Sequence, residues 1–148
     1  MDTALDAAFE RLAAAGFELP NGFVNHGPMA CEALAALGLD ADLEGWAKRF
    51  ANVKGGIDVV PVVDPRQFDA VTHLGDYSRL PEWIGYFAAS IRVDGWPAVV
   101  AEWVPRLAPA FAAKLFHGAI RTAHATRAVS EADTAARRVE LARALAYW

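Results

Sequence analysis

Prolines and glycines cut this 148-residue chain into short segments, and that punctuation constrains the fold more than any other feature. Pro28, Pro81, Pro97 and Pro109 each open a run with apolar residues at three- and four-residue steps. Proline suits the first position of a helix, where its missing N–H has no partner to lose. Gly16, Gly38, Gly55-Gly56 and Gly75 fall where such runs stop, as helix ends require. The spacing predicts a helix over residues 2–15 on Leu5, Phe9 and Leu12. A second opens at Pro28 with Gly27 as its N-cap and Met29, Ala33, Leu34 and Leu37 on its apolar face. A third, capped by Asp40 or Asp42, carries Leu43, Trp46 and Phe50. Residues 65–74 make a short helix, and 81–92 a clearer one with Trp83, Ile84, Phe87 and Ile91 on one side. Another runs over 97–104 until Pro105 closes it. A long helix starts at Pro109 and carries His117 and His124, and a last one starts at Ser130 with Asp133 echoing a capping box. Only residues 57–63 look β-like, and Pro61 reduces them to an edge strand or an extended connector. The expectation is an all-α fold: one domain over residues 1–148, with seven or eight helices and one short extended segment.

Composition narrows the function. The chain is 55% hydrophobic and 22% charged, enough to fold around a core. A net charge of −4 without a basic stripe excludes general nucleic-acid binding. The most apolar stretch, residues 96–116, holds Glu102, Arg106, Lys114 and three prolines, so no membrane span is expected. Cys31 is the single cysteine; with an acidic start lacking the basic region of a signal peptide, it points to the cytoplasm. Five tryptophans are many for this length. They serve the core or line a pocket for a flat ligand. The closing Tyr147-Trp148 pair has three readings: a truncated domain, an oligomer contact, or docking onto the core.

The chemistry concentrates in two blocks. Asn25-His26-Gly27-Pro28-Met29 places His26 just outside a helix N-terminus. The helix dipole there disfavours imidazolium and leaves the neutral, ligand-competent ring. His117-Gly118-Ala119-Ile120-Arg121-Thr122-Ala123-His124 places two histidines seven apart, roughly in line and about 10.5 Å apart along a helix. Ligands to one metal usually stand four apart, so a shared ion needs a bend, with Gly118 the weak point. Arg121 shares the expected face, as a clamp for an anionic group. Polar turn and groove residues explain the same spacing without a metal. His73 reads as a helix-end histidine and Cys31 as a small buried side chain. No Ser-His-Asp pattern, Gly-rich phosphate loop or paired-cysteine motif is present.

The two blocks, with Glu32-Ala33-Leu34-Ala35-Ala36-Leu37-Gly38, Leu74-Gly75-Asp76, Trp103-Val104-Pro105-Arg106-Leu107 and Arg137-Arg138-Val139-Glu140-Leu141-Ala142, resemble the questin oxidase-like family nearly end to end. The resemblance implies a helical oxidoreductase acting on an aromatic or polyketide-type substrate such as an anthraquinone. It implies a non-haem iron or other divalent metal, dioxygen, and in some members NADPH. His26, His117 and His124 stand in the matching motifs and are the implied metal ligands, with Arg121 beside them. Typical members are more than twice as long, so this chain corresponds to an N-terminal part, and a further histidine and a modified lysine lie outside it. A homodimer or a missing C-terminal half is therefore expected, with Tyr147 and Trp148 near the contact. Trp side chains and Phe87 would line the substrate slot. The alternative is a non-catalytic helical domain that binds a small molecule or dimerises.

Overall fold

A computed structural model describes residues 3–148. The fold is all-α, with seven α-helices among the described residues. Its only β pairing among the described residues is one isolated bridge between Glu18 and Val24. The first helix, α1 (Ala4–Leu12), opens on a capping box between Thr3 and Asp6 and buries Leu5, Phe9 and Leu12 as expected. Asp2, its expected start, lies outside the described residues. The next two, α2 (Gly27–Ala36) and α3 (Leu43–Ala51), pack on α1 and on each other. Leu37 departs from the expected α2 face: it is 73% exposed at the C-cap.

Residues 57–63 are the extended connector, with no strand partner. Val60 N–H donates to the Pro81 carbonyl at 3.1 Å, tying the connector across α4 (Leu80–Asp94). Gly85 makes room for it: a Cβ there would lie 1.9 Å from the Val60 carbonyl oxygen. The expected helix over 65–74 reduces to a single 3-10 turn, Pro65–Gln67, and looser turns.

Three boundaries differ from expectation. The fifth helix, α5 (Trp96–Leu107), runs through Pro105. The carbonyl that Pro105 deprives of a partner belongs to Ala101, which is exposed, so water can replace the missing bond. The helix predicted from Pro109 does not form. Two 3-10 turns, Ala108–Ala110 and Ala113–Phe116, lead into Lys114, Leu115 and Phe116, all with positive φ. Only then does α6 (His117–Glu131) begin. The last helix, α7 (Ala135–Tyr147), starts at Thr134, whose hydroxyl accepts from the Arg137 N–H; Ser130 still belongs to α6.

The C-terminal helix α7 organises the molecule by packing on α6, α4 and α1. Trp103 meets Trp83 and Phe87 edge-on between α4 and α5, with ring centroids 5.6 and 5.1 Å apart. Such pairs add about 0.5–1.5 kcal/mol each beyond area burial. Of the three readings of the terminal aromatics, docking onto the core is seen for Tyr147. Tyr147 is buried and stacks on Phe17 at 4.9 Å.

Candidate functional site

The first histidine block is built to fix a helix entry. Asn25 is buried; its amide donates to the Gly16 carbonyl at 2.9 Å and its Oδ1 accepts from the Gly27 N–H at 2.9 Å. Gly27 passes under Phe50, where a Cβ would approach to 2.6 Å. Pro28 fills the first turn. The N-cap is His26 itself, one residue before the expected Gly27, and its ring makes no cap bond. It points out of the fold, exposed.

The second block is engaged in the same way. Gly118 lies in the first turn of α6 beneath the chain end: a Cβ would come within 2.5 Å of the Trp148 Cα. Gly118 therefore marks a close approach, not the expected bend. Arg121 does not share a face with the histidines as an anion clamp. It is 2% exposed and grips Glu140 of α7 with two bonds of 2.7 and 2.9 Å, above the Phe17 ring. His124 donates from Nδ1 to Glu32 of α2, which Arg127 also holds, Nε to Oε1 at 2.6 Å. Burial pushes the Glu32 carboxyl up, but the Arg127 and His124 bonds outweigh it and hold the group below its ordinary value.

What remains is His117. Its Nε2 lies 3.0 Å from the His26 Nε2, the rings edge to face at 83°. Its Nδ1 lies 3.0 Å from the Lys114 carbonyl, which can only accept. Nδ1 therefore carries a proton, and in the neutral ring Nε2 offers a lone pair toward His26. A carbonyl orienting the far nitrogen is the usual way a ligand imidazole is aimed. The carbonyl comes from the left-handed segment 114–116, where each non-glycine residue costs about 1–2 kcal/mol.

The contacts 26–117 and 32–124 show that α2 and α6 run side by side in the same direction. Their N-termini bring His26 and His117 together; His124 lies two turns further on. The three-histidine centre is thus not assembled, and no three His, Cys, Asp or Glu gather into a metal-holding group among the described residues. The residues present fit two donors of such a centre, not three. His73 packs against Phe68 at 5.7 Å, away from the pair. Cys31 is fully buried, and burial, with a smaller push from Glu140, raises its thiol to about 11.

Beside the strained segment opens a cleft of about 350 Å³. Trp83, Phe87 and Leu107 line it with Tyr77, Tyr147 and Trp148. Trp103 lies in the core behind it, and Trp46 stacks on Phe50 elsewhere. Lys114 joins cleft and histidines: its side chain lines the cleft, and its carbonyl holds His117. Sequence reading missed Lys114, Glu18 and Glu32. Only Glu32 had a visible signal, as an acidic residue in an otherwise apolar helix.

No helix among the described residues is long and apolar enough to cross a membrane. No family model matches the sequence, and no curated protein or solved structure is significantly similar to it.

Proposed function

We propose that this chain binds a flat aromatic or polyketide-type molecule in the cleft, as part of a questin oxidase-like oxidoreductase. The observation that carries the reading is the cleft itself: about 350 Å³ walled by Trp83, Phe87, Tyr77, Tyr147 and Trp148. That volume and aromatic lining suit a small planar ligand. His26 and His117 add two imidazoles that the fold leaves without a structural partner beyond each other and one carbonyl. A redox reading uses them as two donors toward a divalent metal completed from outside this donor set; iron would supply dioxygen activation there. The residues of this chain bind and orient the aromatic molecule and exclude water from it.

A second reading is a binding domain without chemistry. It is favoured by the engagement of His124 and Arg121 with the buried carboxylates of Glu32 and Glu140. The test is a titration with a hydroxylated anthraquinone, followed by tryptophan quenching, then oxygen uptake with added iron(II), with and without NADPH. Saturable quenching with oxygen uptake that His117→Ala abolishes supports the oxidoreductase. Quenching without uptake supports the binding domain, and no quenching removes both.

A further inference from the structure

Resting on the aromatic-cleft reading, we propose that the cleft selects flat aromatic molecules that carry an acidic group, and that Lys114 selects them. Three charged residues line the cleft: Asp76, Arg106 and Lys114. Asp76 is answered from its own turn, its Oδ1 accepting from the Ser78 N–H at 3.1 Å and its Oδ2 lying 3.6 Å from Arg79 Nε. Arg106 pairs with Glu102 at 3.0 Å, and both are half exposed, so water screens that charge.

Lys114 is placed differently. Its Nζ lies 3.7 Å from the centre of the Tyr77 ring and 3.0 Å from Glu18 Oε1. An ammonium has three donors. Glu18 takes one and the Tyr77 face a second; the Tyr147 ring stands 5.7 Å away, and the third donor has no hydrogen-bond acceptor among the described residues. Glu18 stands outside the cleft lining, and its Oε1 is shared with the Tyr147 hydroxyl at 3.0 Å. Burial first, then the Glu18 charge, pushes Tyr77 up to about 12 and raises Tyr147 as well. Both phenols therefore stay protonated at neutral pH and add no negative charge to the walls. The result is an aromatic slot in which Lys114, with its side chain 32% exposed and paired with Glu18, is the cation with a donor to spare for a charge-assisted bond to an acidic group.

The backbone supports the same assignment. Lys114 has φ 52°, ψ 36°, a conformation that asparagine or glycine adopts at less cost. A lysine held there is fixed by its ammonium contacts, so the side chain has little freedom to lose when a ligand arrives.

The experiment compares two fluorescent probes with one ring system, 1-anilinonaphthalene-8-sulfonate and its uncharged analogue N-phenyl-1-naphthylamine. Lys114→Met should weaken the sulfonate about tenfold, the loss of one charge-assisted bond. It should change the neutral probe less than about twofold, and Lys114→Arg should retain the sulfonate. Added salt should weaken only the sulfonate in the wild-type protein, a readout that stands even where Lys114→Met unfolds. Ala110→Trp, which fills the cleft, should remove both probes. Equal losses for both probes in Lys114→Met, or a sulfonate affinity indifferent to Lys114 and to salt, overturns the proposal. Neutral-probe binding then leaves the aromatic cleft standing. Failure of the wild-type protein to bind either probe removes the cleft reading and this inference together.

Discussion

Glu140→Gln should be among the most damaging single substitutions in this protein, and Arg121→Met should be milder. Three charged side chains meet between α6 and α7: Arg121, Glu140 and Arg143, all at most 3% exposed. Arg121 holds Glu140 with two bonds, and both guanidinium carbons lie 4.6 Å from the Phe17 ring centre. Arg143 donates to the Ala15 carbonyl at 2.9 Å, and its Nε has no partner. Burial, then the neighbouring Arg121, pushes the Arg143 guanidinium down. Glu140 is the one anion of the set. Its neutralisation leaves two buried cations facing each other, and breaking a buried pair this way costs about 3–5 kcal/mol. For a chain near 150 residues that lowers the melting midpoint by about 6–20 °C. Arg121→Met removes one cation and both bonds to Glu140 but leaves that carboxylate in the field of Arg143, so the buried charges still balance and the loss is that of charged hydrogen bonding, about 1.5–3 kcal/mol. Urea melts followed by circular dichroism measure both. The charge count is refuted if Glu140→Gln costs under about 1 kcal/mol, or if Arg121→Met is the more damaging. The same pair decides what Arg121 is for. A clamp on a ligand would lose affinity with stability intact, and the buried pair requires the opposite.

Gly118→Ala should displace Trp148, since the new methyl meets its Cα at 2.5 Å; an overpacking cost of about 1–3 kcal/mol should accompany a shifted tryptophan emission and weaker probe binding in the cleft. Acid should destabilise the fold below roughly pH 5. In Asp6 and Glu32 burial raises the carboxyls, but hydrogen bonds from Thr3 and Arg137, and from Arg127 and His124, hold them below their ordinary 3.8 and 4.5. Depressed folded values mean stability fully present above those ordinary figures and lost as pH falls from them through the lower folded values. Urea midpoints between neutral and acid pH check this, and Glu32→Gln should flatten the decline. Cys31, with its thiol at about 11 against an ordinary 9.0, should resist thiol reagents in the native state at mildly alkaline pH and react once unfolded. Because the folded value is the raised one, its contribution to stability is complete below 9.0 and disappears as pH climbs to about 11.

Helix identity was legible because proline placement and apolar spacing act locally. Trp83, Ile84, Phe87 and Ile91 are all buried on α4, as their steps of one, three and four require. Boundaries were less legible where tertiary contacts override local preference. Pro105 stays inside α5, and the residue whose carbonyl it orphans, Ala101, is exposed, so water can serve that carbonyl. Segment 109–116 carries helix-compatible alanines, yet it breaks into left-handed backbone because Lys114 reaches Glu18 and Tyr77, residues remote in sequence. No local pattern encodes those distances.

The site was legible as a pair of blocks and illegible as a geometry, for one reason. A histidine-rich block mixes residues placed there by packing with residues free for chemistry, and only contacts separate the two. Asn25 bridges Gly16 to Gly27, Gly27 clears Phe50, Gly118 clears Trp148, Arg121 meets Glu140 and His124 meets Glu32. Subtracting those leaves His26 and His117, from different blocks, with their Nε2 atoms 3.0 Å apart. The seven-residue spacing drew His117 toward His124 in sequence. The parallel course of α2 and α6 instead pairs each histidine of α6 with a residue of the other block or its helix: His117 with His26, His124 with Glu32. Lys114 then ties this pair to the aromatic cleft through one residue, carbonyl on one side and ammonium on the other. Lys114 is thus the physical link between the histidine pair and the cleft.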